Sequence, residues 1–119
     1  MILLALSLCI ASVHDGDTIR SCQSERIRLV GIDAPEVKGS PRCSAKQRKR
    51  LAGSKNPPWC DFAKGDQARR KLSAFLSWGG VVIYRQGKDR YGRTLARVSV
   101  GGQDAGQFLI GLGLARSWN

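Results

Sequence analysis

Cys9-Ile10-Ala11-Ser12-Val13-His14-Asp15-Gly16-Asp17-Thr18-Ile19-Arg20-Ser21-Cys22 decides how the rest of the sequence is read. Asp15-Gly16 stands between apolar-rich runs, and Asp-Gly is among the stronger short signals for a two-residue hairpin turn. With Asp15 and Gly16 as the turn, residues 8–14 form the first strand, Val13 faces Thr18 and Cys9 faces Cys22. Counted outward from the His14/Asp17 pair, the cysteines fall at a non-hydrogen-bonded site, where opposing strands approach most closely. Cys9–Cys22 is therefore the first disulfide expected. Two buried free thiols, or a Cys9 lost with a leader, are the competing readings.

Downstream, Arg26 to Asp33 reads as a strand that ends at the Ala34-Pro35 break. Residues 37–64 carry Lys, Arg, Ser, Gly, three prolines and two cysteines with no sustained period, and read as a loop. A loop of that length needs a staple, which Cys43 with Cys60 can supply. From Asp66 to Ser77 the period is helical: Ala68, Leu72, Phe75 and Leu76 share one face, Arg69, Arg70 and Lys71 the other, and Gly79-Gly80 stops it. Val81 to Arg85 and Thr94 to Val100 are strands, joined through the turn-rich Gly87 to Gly92. A short helix over about Ala105 to Leu112 ends at Gly113 as a left-handed cap. The order describes a mainly β, α+β fold: a five-stranded OB-type barrel with one helix between the third and fourth strands and a short C-terminal helix.

Upstream, residues 1–13 carry no charge but form a run too short to span a membrane, which takes about 20 residues. They lack the Lys or Arg expected before a signal sequence. Residues 1–7 are read as the remainder of an export segment, and 8–119 as a single domain with a basic, Cys-containing insertion at 37–64. The chain has 119 residues, 20 Lys+Arg against 9 Asp+Glu and a formal net charge of +11. With 42% hydrophobic residues it is no disordered basic tail, and its length accommodates one compact domain. The charge excess suits a polyanionic partner. No CxxC spacing is present, which disfavours a structural zinc site, and four cysteines in a short chain point to an oxidising compartment.

Three segments, Val13-His14-Asp15-Gly16-Asp17-Thr18, Arg28 to Glu36 and Asp89-Arg90-Tyr91-Gly92-Arg93, together resemble the thermonuclease family, whose best-known member is staphylococcal nuclease. The resemblance runs over roughly residues 9–118, including the closing Gly113-Leu114-Ala115. It implies an OB-fold barrel and a calcium-dependent phosphodiesterase, secreted or periplasmic, acting as a monomer on DNA and RNA without stable membrane association. Carried over by motif position, Asp17, Asp33 and the backbone carbonyl of Ala34 match the family's calcium ligands. Glu36 matches the glutamate that orients or deprotonates the attacking water, and Arg28 and Arg93 match the arginines on the scissile phosphate. Position 34 is commonly threonine in the family, but a carbonyl ligand survives the change to alanine. The segment after Glu36 is much longer here than in the staphylococcal enzyme and carries Lys46, Arg48, Lys49, Arg50 and Lys55.

The chemistry is consistent with these residue types. Oxygen ligands suit a hard cation such as calcium, and planar guanidinium forks suit phosphate oxygens better than lysines do. One difficulty is geometric: Arg28 and Asp33, five apart, point to opposite faces of a regular strand. A bulge or bend near Gly31-Ile32 resolves it. Taken singly the motifs are bland: a hairpin turn with solvated carboxylates, a strand exit, a charged loop. Asp15 reads as a turn former, His14 as an exposed neighbour, and Trp59, Trp78 and Trp118 as core or packing residues. Tyr91 either meets a phosphate or packs beneath its loop. A noncatalytic nucleic-acid-binding OB module is the alternative function; it needs the basic groove without the acidic set. A cationic membrane-active protein fits less well, because the apolar face of the helix is needed by the barrel.

Overall fold

The computed structural model describes residues 7–118. The export segment read over residues 1–7 therefore lies, Ser7 excepted, outside the described residues. In chain order the elements are β1 (Ile10–Asp15), β2 (Thr18–Ser21), β3 (Arg26–Leu29), β4 (Ile32–Asp33), α1 (Ala45–Leu51), α2 (Phe62–Ser77), β5 (Val81–Lys88), β6 (Thr94–Val100), β7 (Gln103–Asp104), α3 (Ala105–Gly111) and β8 (Arg116–Ser117).

The first hairpin turns at Gly16-Asp17, one residue later than the sequence suggests. Asp15 is the cause: its carboxylate accepts the Asp17 N–H at 3.0 Å, which sets it at the corner of the turn and not inside it. Asp15, not Val13, consequently faces Thr18. Irregularities between Val13 and Asp15 and between Ile10 and Ser12 then slip the register one residue each. The two slips cancel the offset, and Cys9 and Cys22 meet as a disulfide with Cα atoms 5.4 Å apart. The pair is not the non-hydrogen-bonded one expected, because Cys22 N–H donates to Cys9 O at 2.9 Å.

The main sheet runs β1-β2-β3-β6-β5, antiparallel except for the parallel β3/β6 pair, with β7 added beside β6. Its edges curl toward each other: Leu8 N–H donates to Val81 O at 2.8 Å and Val81 N–H to Ser7 Oγ at 3.0 Å. This curled five-stranded sheet, with its main helix between the third and fourth long strands, is the OB-type α+β architecture. The strand read over residues 26–33 is broken. β3 stops at Leu29, Gly31 takes φ 80°, a conformation open to glycine, and β4 leaves the sheet to pair with β8. The core lies between the concave side of the sheet and α2, where Ile19, Ile27, Ala96 and Val98 meet Ala68 and Leu72. Phe75 stacks on Phe108 of α3 at 4.5 Å, and Gly113 (φ 72°) follows that helix.

Residues 37–64 are not a plain loop. A 3-10 turn at Pro41–Cys43 leads into α1, whose Ser44 cap accepts the Gln47 N–H at 3.2 Å. No residue of α1 is buried, so its sequence has no apolar period to betray it. Cys43 and Cys60 are bonded, as expected. The main helix starts at Phe62, four residues before Asp66, because Asp61 caps it by accepting the Lys64 N–H at 3.0 Å. The extra turn carries Gly65, where a Cβ would lie 2.1 Å from the Glu36 carbonyl oxygen; only glycine lets the helix lie on that backbone. β5 extends three residues past Arg85, and α3 stops one residue before Leu112. The tryptophans are also not core residues: Trp78 is 82% exposed, Trp118 is exposed and Trp59 is half-buried.

Candidate active site

A cavity of about 660 Å³ opens between the first hairpin, the β3–β4 bend, the Asp89–Arg93 turn and the start of the 37–64 segment. Five of the six residues singled out by motif line it: Asp17, Arg28, Asp33, Glu36 and Arg93. Ala34 does not; it is fully buried behind the wall, its N–H donating to Asp17 Oδ2 at 2.9 Å. His14 is on the rim, exposed as expected.

Each side chain is held by identifiable structure. Asp17 ends the turn, and its Oδ1 accepts from Thr18 Oγ1 at 3.1 Å. Thr18 pairs with Arg28 in the β2/β3 ladder, so register places Arg28 beside Asp17, Nη2 to Oδ2 3.6 Å. The Arg28 fork folds over the bend and donates to the carbonyls of Leu29 and Ile32 at 2.5 and 3.0 Å. The same bend turns Asp33 into the cavity, which resolves the facing problem posed by five-residue spacing. Glu36 is fixed twice: its N–H donates to Trp59 O at 2.8 Å, and Ser40 Oγ donates to its Oε1 at 2.6 Å. Arg93 is anchored by Asp89, which takes its Nε at 2.7 Å and, through the other oxygen, the N–H groups of Tyr91 and Arg93 at 2.9 Å. Tyr91 is 60% exposed and lies against the Arg93 guanidinium, 5.7 Å from ring centre to Cζ, so it is not packed beneath its loop.

Several participants have no sequence signal. Asp15, a turn former as expected, is also buried in the cavity wall. Arg116 of β8 sends Nε and Nη2 to a single oxygen of Asp33, Oδ2, at 2.9 and 2.7 Å. Ser40 and Arg42 enter from the 37–64 segment, and Trp118 lies within 6.0 Å of the Arg28 and Arg42 guanidinium carbons.

The carboxylates are crowded. Burial, then the Asp17 charge, pushes Asp15 up to about 8. Burial also raises Asp33 and Glu36 above their ordinary values, against the lowering contacts of Arg116 and Ser40 respectively, and Asp17 adds to both. Partly dehydrated carboxylates that repel one another are an environment a cation relieves. The donors are all oxygen, Asp33 Oδ1 takes no bond from Arg116, and the set suits a hard ion. Among the described residues no three Asp, Glu, His or Cys side chains converge on one point. An ion here would therefore need oxygen ligands beyond these carboxylates.

Residues 26–119 match the model of the family described as Staphylococcal nuclease homologue. The chain is also 32% identical over 114 residues to the Thermonuclease of Staphylococcus intermedius, an alignment covering 93% of this chain. It spans 59% of the length of that relative.

Proposed function

Because the chain belongs to the staphylococcal nuclease family, we propose that it is a calcium-dependent nuclease that hydrolyses phosphodiester bonds of DNA and RNA by metal-assisted attack of water. The observation that carries this reading is the meeting, on one cavity, of Asp17, Asp33, Glu36, Arg28 and Arg93 from three separated motifs. Residues 8–119 act as one nuclease-like domain in this reading.

Asp17, Asp33 and the Ala34 carbonyl would hold the calcium. When bound, the ion supplies charge neutralisation at the phosphate and a place to position water. Glu36 then holds or takes the proton of the attacking water; its raised pKa favours that exchange, since a base works best when its pKa approaches the working pH. Arg28 and Arg93 meet the phosphate oxygens as negative charge builds on them; Arg93 is held for this through its Nε, whereas Arg28 shares terminal nitrogens that also donate to the carbonyls of the bend. Arg116 keeps Asp33 in place from behind. The two disulfides indicate an oxidising environment, and no helix among the described residues is long and apolar enough to cross a membrane. A secreted or periplasmic monomer fits these features.

Incubating plasmid DNA and a structured RNA with the protein in calcium, in magnesium and in chelator tests the proposal. Cleavage of both substrates in calcium, abolished by chelator, is expected. Binding without cleavage under every ionic condition would replace the enzyme by the noncatalytic OB module.

A further inference from the structure

Of the five arginines lining the cavity, only Arg42 comes from the 37–64 segment. Its neighbours set it apart. Arg28 is paired with Asp17 and Arg93 with Asp89, whereas Arg42 makes no ion pair among the described residues. Arg20 and Arg26 also lack one, but both are exposed to solvent. Arg42 is partly buried, and its Nε is shielded from water without any hydrogen-bond partner. Its Nη2 reaches only the Asn56 carbonyl, at 3.3 Å. A buried charged donor with no acceptor is costly, by about 1–3 kcal/mol or more, so this guanidinium is not placed for stability alone.

The surroundings hold this guanidinium in place. Cys43, the next residue, is bridged to Cys60 and donates its N–H to Ser40 O at 3.0 Å. Trp118 lies 6.0 Å from the Arg42 Cζ and 5.9 Å from that of Arg28, and its own N–H is tied to Gly31 O at 2.9 Å. One indole thus spaces a scissile-phosphate arginine from a second, incompletely bonded one on the same cavity.

We propose that Arg42 is a further phosphate-binding residue, contacting a backbone phosphate of the bound polynucleotide that neighbours the one being cleaved. The proposal rests on the reading of the chain as a nucleic-acid-cleaving enzyme. A guanidinium fork matches the paired non-bridging oxygens of a phosphodiester, and Arg42 Nη1, which makes no hydrogen bond among the described residues and is not among the shielded atoms, is open to such a ligand.

The test follows binding of a fluorescent single-stranded oligonucleotide in chelator, by anisotropy across a salt series, for the unmodified protein, Arg42→Gln, Arg42→Lys and the control Lys71→Gln, an exposed residue of α2 that does not line the cavity. Loss of one phosphate contact should lower the slope of log affinity against log salt by about 0.7 in Arg42→Gln, with about 10-fold weaker binding at low salt. Arg42→Lys should keep the slope and bind severalfold more weakly, and Lys71→Gln should stay close to the unmodified protein. In cleavage assays Arg42→Gln should raise KM about 10-fold while kcat stays within about 3-fold, the pattern of lost binding and not of lost chemistry. Unchanged affinity and slope in Arg42→Gln, or a fall in kcat at constant KM, overturns the proposal. Should Arg42→Gln unfold thermally below the assay temperature, Arg42→Lys decides, and affinity equal to the unmodified protein overturns it. If the unmodified protein binds but does not cleave, the enzymatic reading fails while the binding comparison still judges Arg42; if it does not bind, both fail.

Discussion

The cavity has two walls built by different means. On one, Asp17, Arg28 and Asp33 are placed by strand register: Thr18 opposite Arg28, and Asp33 opposite Arg116. On the other, Glu36, Ser40 and Arg42 are placed by single tethers: one hydrogen bond to Trp59, the Gly65 approach and the Cys43–Cys60 bridge. A ladder fixes many residues at once and tolerates little slippage, whereas tethers can be cut one at a time. The strand wall should therefore behave as a unit, and the 37–64 wall should lose its contributions piecemeal.

The largest expected effect lies where the walls meet. Glu36→Gln and Arg93→Ala should each lower turnover by about 100-fold or more, the usual size of a lost proton transfer or charge-stabilising contact, while DNA binding and thermal unfolding stay close to the unmodified protein. Equal turnover in Glu36→Gln would remove that residue from the chemistry.

Opening the two disulfides separately sharpens the contrast. Cys9→Ser with Cys22→Ser and Cys43→Ser with Cys60→Ser should each cost about 3 kcal/mol in denaturant unfolding. Only the second pair should also weaken oligonucleotide binding, about 10-fold, by releasing Arg42. Equal binding losses from both would mean that the bridges act through global stability alone.

A smaller effect is expected at Ser40. Its hydroxyl holds the Glu36 pKa down against burial, which raises it. In its proposed role Glu36 must be ionised to accept a proton, so the rate should fall as pH drops through its pKa. Ser40→Ala removes the lowering contact and should move that acid limb to higher pH, with a rate loss of only severalfold above it. A pH–rate profile superimposing on that of the unmodified protein would show that the hydrogen bond is idle.

Least should follow from neutralising Lys46, Arg48, Lys49 and Arg50. They sit on or beside exposed faces of α1, and none lines the cavity. DNA affinity should weaken and its salt dependence flatten, with turnover at saturating substrate unchanged. An unaltered salt slope would make the run a solvated surface only.

The strand wall was legible because its residues fall in short motifs whose separations survive folding. Even the conflict between Arg28 and Asp33 pointed to the bend that Gly31 provides. The hairpin shows how local reading errs and recovers: Asp15 moves the turn through its own side chain, and two bulges restore the cysteine pairing. Beyond Glu36, the other wall was illegible for a physical reason. Arg42 is one of 20 Lys+Arg in the sequence, and nothing in spacing distinguishes the one that a disulfide and an indole hold over the cavity. Arg116 and Trp118 likewise gain their partners only when β8 returns to β4. α1 has no apolar stripe, and the first turn of α2 is set by the Asp61 cap before the helical period becomes visible.

The most direct measurement of the central claim is the initial rate of plasmid cleavage across a calcium titration, for the unmodified protein, Asp17→Ala and Asp33→Ala, with DNA binding measured alongside. Saturable activation is expected in the unmodified protein and none in either variant, both of which should still fold and bind DNA. Calcium activation that is the same in all three, or an unmodified protein that binds DNA and never cleaves it, would contradict the account.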